Sequence, residues 1–262
     1  MARQCQDGHP AGWRHFVKYY LPFAAALVDR HCPESAPKRD ALLEEVLQRS
    51  RGQNFHFFRN YQGQSEREFL LYFRDYVLAI AQEQAAPPER PPQIVLEWEL
   101  FQRSLEGFSL LERQAIWMFL LCPWASDWSE ILNLEPKSAH AILAKAQDAM
   151  RAAYEEWNPE MLAQNRNALA QTARSLAANN CPATRAFVRL LDGQITWRDR
   201  ADIERHTAGC WCCVDVLCRL REAAFVARRI QPLPDAETER YLSGLGIGIA
   251  RPSKWKRFLG KP

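Results

Sequence analysis

Three of the eight cysteines in this 262-residue chain fall within one eight-residue run, HTAGCWCC, which begins at His206. On a continuous helix His206, Cys210 and Cys213 share one face, because side chains three and four residues apart are neighbours. Cys212 is predicted to point away from that face. Three nitrogen and sulfur donors leave a tetrahedral zinc ion one ligand short. The spacing therefore predicts a metal site that needs one further ligand from another helix.

Cys181 is the candidate for the fourth ligand. It precedes His206 by 25 residues, and the sequence between them reads as one helix, a glycine turn at Gly193 and the approach to the next helix. That length suits a helical hairpin that returns Cys181 to the cluster. Two alternatives remain open. Cysteine can serve as a small buried hydrophobe, and thiolates that lose zinc to a disulfide would form a redox switch.

The candidate ligands follow a pattern: one cysteine, about 25 residues, and then H-x3-C-x2-C. This pattern resembles that of the zinc-binding anti-sigma domain of bacteria. The run LLDGQITWRDRADIERHTAGCWCC is similar to the turn and histidine helix of that family. The resemblance implies that Zn²⁺ is held by Cys181, His206, Cys210 and Cys213. In this interpretation Cys212 is a bystander.

The composition is that of an ordinary globular protein, with 47% hydrophobic and 25% charged residues and a net charge of +3. No segment has the apolar length of a signal peptide or a membrane span. We therefore expect a cytoplasmic protein, in which clustered cysteines favour metal binding or redox sensing over a disulfide framework. The small positive charge gives little support for DNA binding by the chain alone.

The hydrophobic pattern is helical throughout, so the predicted fold class is all-α. Trp13, Phe16 and Tyr20 recur at helical spacing and are expected in a core, and Ser65 with Glu68 forms a predicted capping box. The predicted divisions are a bundle at 12–84, a proline-rich linker at 85–93, a helix-turn-helix domain at 94–157, a zinc-binding hairpin domain at 159–230 and a flexible tail at 231–262.

The first 157 residues resemble a divergent extracytoplasmic-function sigma factor. The run ALLEEVLQRSR corresponds to that family's polymerase-binding helix, and SEREFLLYF to the helix that leads towards promoter melting. This implies core RNA polymerase contacts from Leu42, Glu44, Glu45 and Leu47. The helix from Pro136 to Arg151 corresponds to the recognition helix of the family, which implies DNA contacts from Lys137, Ser138, His140, Lys145 and Arg151.

The recognition helix departs from the family pattern in its charge. Only Lys137, Lys145 and Arg151 are clearly cationic, although phosphate neutralisation supplies much of the affinity for DNA. Ile142 and Ala144 offer no hydrogen bonds to base edges. Promoter binding is therefore expected to be weakened, while the sigma fold is retained.

Two functions remain as hypotheses. The first is a bacterial transcription regulator in which a fused zinc-binding domain masks sigma-like surfaces until a signal or a protein partner releases them. The second is a sigma-derived adaptor that binds polymerase or another protein without binding DNA. Catalysis is not expected, because the chain has no glycine-rich phosphate loop, no G-x-S-x-G and no H-E-x-x-H.

Overall fold

The computed structural model describes residues 1–84, 96–122, 125, 127–155 and 157–247. All regular structure in this described part is helical, and no strand occurs in it, which confirms the all-α prediction. A 3₁₀ helix covers Pro33–Lys38, and the α-helices are α1 (Ala2–Gln6), α2 (Pro10–His31), α3 (Arg39–Asn60), α4 (Glu66–Gln84), α5 (Trp98–Ser104), α6 (Leu110–Leu121), α7 (Trp128–Ile131), α8 (Pro136–Ala153), α9 (Pro159–Ser175), α10 (Thr184–Leu191), α11 (Trp197–Gly209), α12 (Trp211–Ala227) and α13 (Asp235–Gly244). Among the described residues, no helix combines the length and the hydropathy that a membrane crossing requires.

The described residues divide into two compact units. Unit 1 contains Met1–Gln62, Phe73–Glu83 and the described residues from Arg229 onward, and unit 2 contains Gly63–Tyr72 and the described residues of Gln84–Arg228. Helix α4 therefore contributes residues 73–83 to unit 1 and its two ends to unit 2. The proline-rich linker that the sequence predicts at 85–93 lies outside the described residues.

The core of unit 1 is built from aromatic side chains of α2, α3 and α4. The ring of Phe16 meets those of Phe58 and Phe73 edge to face, each at a centroid distance of 5.1 Å. Trp13 meets Phe58 in the same way at 5.4 Å. Edge-to-face contacts of this kind add to the free energy of burying the rings. The predicted aromatic stripe of α2 is thus core.

Helix α13 lies within the segment that the sequence analysis expected to be a flexible tail. Its Tyr241 and Leu242 are buried within unit 1, where the helix packs against α2. At its start the carboxylate of Asp235 pairs with Lys18 Nζ at 2.8 Å. The backbone N–H of Leu233 donates to the carbonyl oxygen of Lys18 at 2.9 Å. The residues from 248 onward lie outside the described part.

In unit 2, the segment 94–157 contains α5, α6, α7 and α8. A capping box of Ser109 and Glu112 begins α6. Asn133 follows α7 in the left-handed region, with φ of 55°, which asparagine tolerates better than most residues. Pro136 then occupies the first turn of α8, where its missing N–H removes no helical hydrogen bond.

Candidate metal centre

The four predicted ligands come from a helical hairpin in unit 2. Cys181 lies just before α10, His206 near the end of α11, Cys210 between α11 and α12, and Cys213 in the first turn of α12. A small apolar core stabilises this hairpin, and Cys213 belongs to it together with Leu71, Phe187, Val188, Ile203, Leu217 and Leu220. The sequence between Cys181 and Cys213 therefore contains α10 and α11, which contact each other and α12.

The hairpin brings the four ligand atoms together. One donor atom from each of Cys181, His206, Cys210 and Cys213 lies within 4.8 Å of all the others. The sulfur atoms of Cys181 and Cys210 are 3.7 Å apart. Nε2 of His206 is buried, and no hydrogen-bonding group among the described residues pairs with it. A buried, unpaired ring nitrogen beside three sulfur atoms fits a metal-ion site.

The pKa of the Cys181 thiol is lowered from its usual value. Burial opposes ionisation there, but hydrogen bonds from the N–H of Ala178 and from the thiols of Cys213, Cys210 and Cys212 outweigh it and lower the pKa of Cys181. Burial, followed by the nearby charge of Cys210, raises the pKa of Cys213 well above its usual range. A bound cation would reverse this second effect, because it stabilises thiolate ligands directly.

The backbone around Cys212 differs from the prediction. The sequence analysis placed His206 to Cys213 on one helix, on which Cys212 points away from the ligands. Instead α11 ends at Gly209, and Cys210 has an extended backbone, with φ of −125° and ψ of 107°. Helix α12 therefore begins with a new orientation. Cys212 is not in the group of four residues whose donor atoms lie within 4.8 Å of one another.

A buried carboxylate that the sequence analysis did not identify lies two residues beyond Cys213. Asp215 is fully buried and accepts hydrogen bonds from Trp117 Nε1 at 3.0 Å, Arg174 Nε at 2.9 Å and Arg219 Nε at 2.7 Å. These hydrogen bonds connect α12 with Trp117 of α6 and Arg174 of α9. An aspartate inside the apolar run of α12 was the available sequence signal, because a buried carboxylate requires partners.

The predicted polymerase-binding residues lie on α3 and divide into two groups. Leu42 and Leu47 are buried in unit 1, with exposures of 2% and 1%. Glu44 is exposed, and Glu45 pairs with Arg49 at 2.6 Å. Only the acidic members of the predicted set are therefore placed to meet another molecule.

The predicted DNA-binding residues share the outer part of α8, although some of their polar atoms already have partners. Lys137 and Ser138 are exposed. Nδ1 of His140 donates to the carbonyl oxygen of Pro136 at 2.6 Å. The two remaining cations are paired: Lys145 with Glu112 at 2.7 Å, and Arg151 with Asp148 at 3.0 Å.

A comparison of the chain with protein-family models, curated proteins and solved structures finds no significant match. Only the fold and the cluster of potential ligands therefore bear on the function.

Proposed function

We propose that this chain is a transcription regulator whose sigma-like helices are controlled by its own C-terminal segments. The observation that carries the proposal is the position of α13 beside α3. A cleft in unit 1 is lined by Glu44, Glu45 and Leu47 of α3 and by Arg240 and Tyr241 of α13. Three of these belong to the run that resembles a polymerase-binding helix.

Polar contacts hold the end of α13 on α3. Gln48 Nε2 donates to the carbonyl oxygen of Gly244 at 3.3 Å, and the guanidinium of Arg51 donates to that of Leu245. Exposed ion pairs of α13 with α2 contribute little free energy. A helix held mainly by a short apolar face and by such contacts is suited to reversible release.

We further propose that the metal of the centre is zinc. Three cysteines and one histidine form a closed four-ligand set typical of structural zinc sites. When bound, zinc supplies binding free energy that stabilises a small hairpin. The chain's own residues then fix the geometry: the apolar core around Phe187 orients α10, and Asp215 holds α12 in place.

The hairpin packs on a second sigma-like segment, the first part of α4. Leu71 of that segment lies in the hairpin core. Arg67 pairs with Asp192 of the hairpin turn at 2.7 Å, and Arg185 of α10 donates to Gln64 at 2.5 Å. Gln64 immediately precedes the run SEREFLLYF, and Arg67 lies within it. This run resembles the helix leading towards promoter melting. These contacts support masking of this segment by the zinc hairpin.

Binding to core RNA polymerase tests the proposal. The full chain is compared with a Leu242→Ala, Leu245→Ala variant, which removes buried side chains of α13 and of the residue that follows it. A Ser243→Ala variant, at an exposed position of α13, is the control. We expect at least about tenfold tighter binding by the double variant alone, which corresponds to about 1.4 kcal/mol. Equal affinities of all three proteins would overturn masking by α13, and binding by none would overturn the sigma-like assignment.

The engaged cations of α8 favour a second candidate, the adaptor that binds polymerase without DNA. Lys145 pairs with Glu112 and also lies over the ring of Phe108 at 4.2 Å. A cation held in this way contributes less to phosphate neutralisation. Fluorescence anisotropy with labelled duplex DNA, in the presence and absence of core polymerase, separates the candidates. The adaptor predicts polymerase binding with no DNA binding beyond that of polymerase alone.

A further inference from the structure

Helix α2 carries a proline in its interior, and this proline leaves a backbone carbonyl without its helical donor. Pro22 lies well inside α2, which extends from Pro10 to His31. In a regular α-helix the carbonyl oxygen of Lys18 accepts from the N–H of the residue four positions later. That residue is Pro22, which has no N–H and whose ring displaces the carbonyl four residues before it. The helix therefore offers the Lys18 carbonyl to a donor from another segment.

The segment that leads into α13 supplies this donor. The backbone N–H of Leu233 donates to the carbonyl oxygen of Lys18 at 2.9 Å. Leu233 immediately precedes Pro234, after which α13 begins. Leu233 and Pro22 also line the same open cavity of about 670 Å³ between α2, α3 and α13 in unit 1. The proline and the donor that replaces its missing N–H are thus neighbours.

Ion pairs extend the contact along one face of α2. Arg14, Lys18 and Pro22 follow one another at four-residue intervals, so that they share a helix face. The ammonium of Lys18 pairs with Asp235 at 2.8 Å, and the guanidinium of Arg14 pairs with Glu239. Asp235 and Glu239 are likewise four residues apart on α13. Helix α13 therefore lies antiparallel to α2, with its start beside the freed carbonyl.

The backbone contact is better suited than the ion pairs to fix the position of α13. The side chain of Asp235 is 77% exposed, and exposed ion pairs contribute little free energy. A backbone acceptor that has lost its donor, in contrast, destabilises the protein unless another group pairs with it. The contact is also specific in position, because only the carbonyl four residues before the proline is freed.

We propose that Pro22 creates a docking site on α2, at which the C-terminal segment binds through the N–H of Leu233. The missing N–H of one proline then fixes where α13 lies, and with it the masking of α3. An N–H restored at residue 22 gives the Lys18 carbonyl a partner within α2 and weakens its contact with Leu233. The same change that improves α2 as a helix therefore loosens α13. The consequence for polymerase binding rests on the proposed function, whereas the docking itself does not.

Hydrogen exchange of the full chain tests the docking site. Pro22→Ala should accelerate exchange in peptides that cover 235–245 by about three- to tenfold, the factor that corresponds to one hydrogen bond. Peptides that cover α2 should exchange no faster than in the wild type, because α2 gains a hydrogen bond. Pro10→Ala is the matched control. Pro10 occupies the first turn of the same helix, where its missing N–H frees no carbonyl, so that exchange in α13 should stay unchanged.

A second variant removes the donor instead of changing the acceptor. Leu233→Pro deletes the N–H and should accelerate exchange in α13 to a similar extent. The effects of Pro22→Ala and Leu233→Pro should not add in the double variant, because both act on the same contact. Additive effects would overturn the docking site. Unchanged exchange of α13 in Pro22→Ala, or equal acceleration throughout unit 1, would overturn it as well.

The affinity for core RNA polymerase distinguishes the docking site from the proposed function. If α13 is released roughly three- to tenfold more often, polymerase binding by Pro22→Ala should tighten by the same factor. Faster exchange in α13 with unchanged affinity would keep the docking site and overturn masking by α13. Unchanged exchange in Pro22→Ala, together with tighter binding by the Leu242→Ala, Leu245→Ala variant, would overturn the docking site and keep the masking.

Discussion

The indole N–H of Trp117 donates to the carboxylate of Asp215 at 3.0 Å, so that α6 is joined to α12 by a buried hydrogen bond within unit 2. Arg174 and Arg219 also donate to this carboxylate, and together the donors lower its pKa despite the opposing effect of burial. Helix α12, which carries Cys213, is therefore connected to α6 and α9 within unit 2.

Substitution of Asp215 is expected to destabilise unit 2 strongly. Asp215→Ala removes the acceptor shared by three donors, and breaking a buried charged group of this kind costs about 3–5 kcal/mol. Arg174→Ala should cost about 1 kcal/mol or less, because its side chain is 44% exposed. The free energy of unfolding in urea measures both, and Asp202→Ala, at an exposed ion pair, is the control. An effect of Asp215→Ala as small as that of the control would show that the network is not important for stability.

The pair of Lys145 and Glu112 predicts a pH dependence. The hydrogen bond from Lys145 lowers the pKa of Glu112 in the folded protein, and burial opposes it. The pair stabilises the folded protein fully at pH values above the pKa that Glu112 has in the unfolded chain, near 4.5. This stabilisation is lost as the pH falls through the lower pKa that Glu112 has in the folded protein. Lys145→Met should therefore raise the pKa of Glu112, as followed by carboxylate NMR. Lys137→Met, on the exposed side of the same helix, should leave it unchanged. A Lys145→Met variant with an unaltered Glu112 titration would exclude the pair in solution.

Removal of the metal is expected to loosen one part of α4 and not the other. Leu71 packs in the hairpin core with Cys213, whereas Phe73 packs in the aromatic core of unit 1. Hydrogen exchange with and without a chelator should rise at least about tenfold for peptides that cover 64–71 and 181–213, as expected for local unfolding. Peptides that cover 73–83 are the internal control. A uniform response along α4 would contradict the assignment of Leu71 to the hairpin core.

The aromatic residues of α2 are expected to stabilise the fold of unit 1. Phe16→Ala removes a side chain with no exposed surface and should cost about 3–5 kcal/mol of stability. Tyr19→Ala changes an aromatic residue of the same helix that is 44% exposed, and it should cost less than about 1 kcal/mol. Urea denaturation followed by circular dichroism measures the difference. Similar losses for both variants would be incompatible with the described core.

The grouping of the four candidate ligands was predictable from the sequence, because their spacing along the chain is a local property. The break between α11 and α12 could not be read in this way: α11 ends at Gly209, and Cys210 has an extended conformation. A periodic pattern continues across such a break as if the helix were unbroken. The prediction of one continuous helix from His206 to Cys213 was therefore wrong, although the four candidate ligands do lie together.

The C-terminal helix and the ion pair of Lys145 illustrate two other limits. Pro234 followed by Asp235 and Glu237 is a helix-start signal, but the surrounding glycines and prolines favoured the prediction of a flexible tail. Glu112 lies 33 residues before Lys145, so a pattern along one helix cannot reveal their contact. Helix existence and type were predictable, whereas contacts between distant segments required the folded chain.

The metal content of the purified protein tests the central claim most directly. The full chain is purified without added metal, and its zinc content is measured beside that of Cys210→Ser and of Cys5→Ser, a cysteine outside the cluster. We expect one zinc ion per chain in the wild type and in Cys5→Ser, and a loss of zinc from Cys210→Ser. A wild-type chain without zinc that also fails to bind added zinc would contradict the central claim.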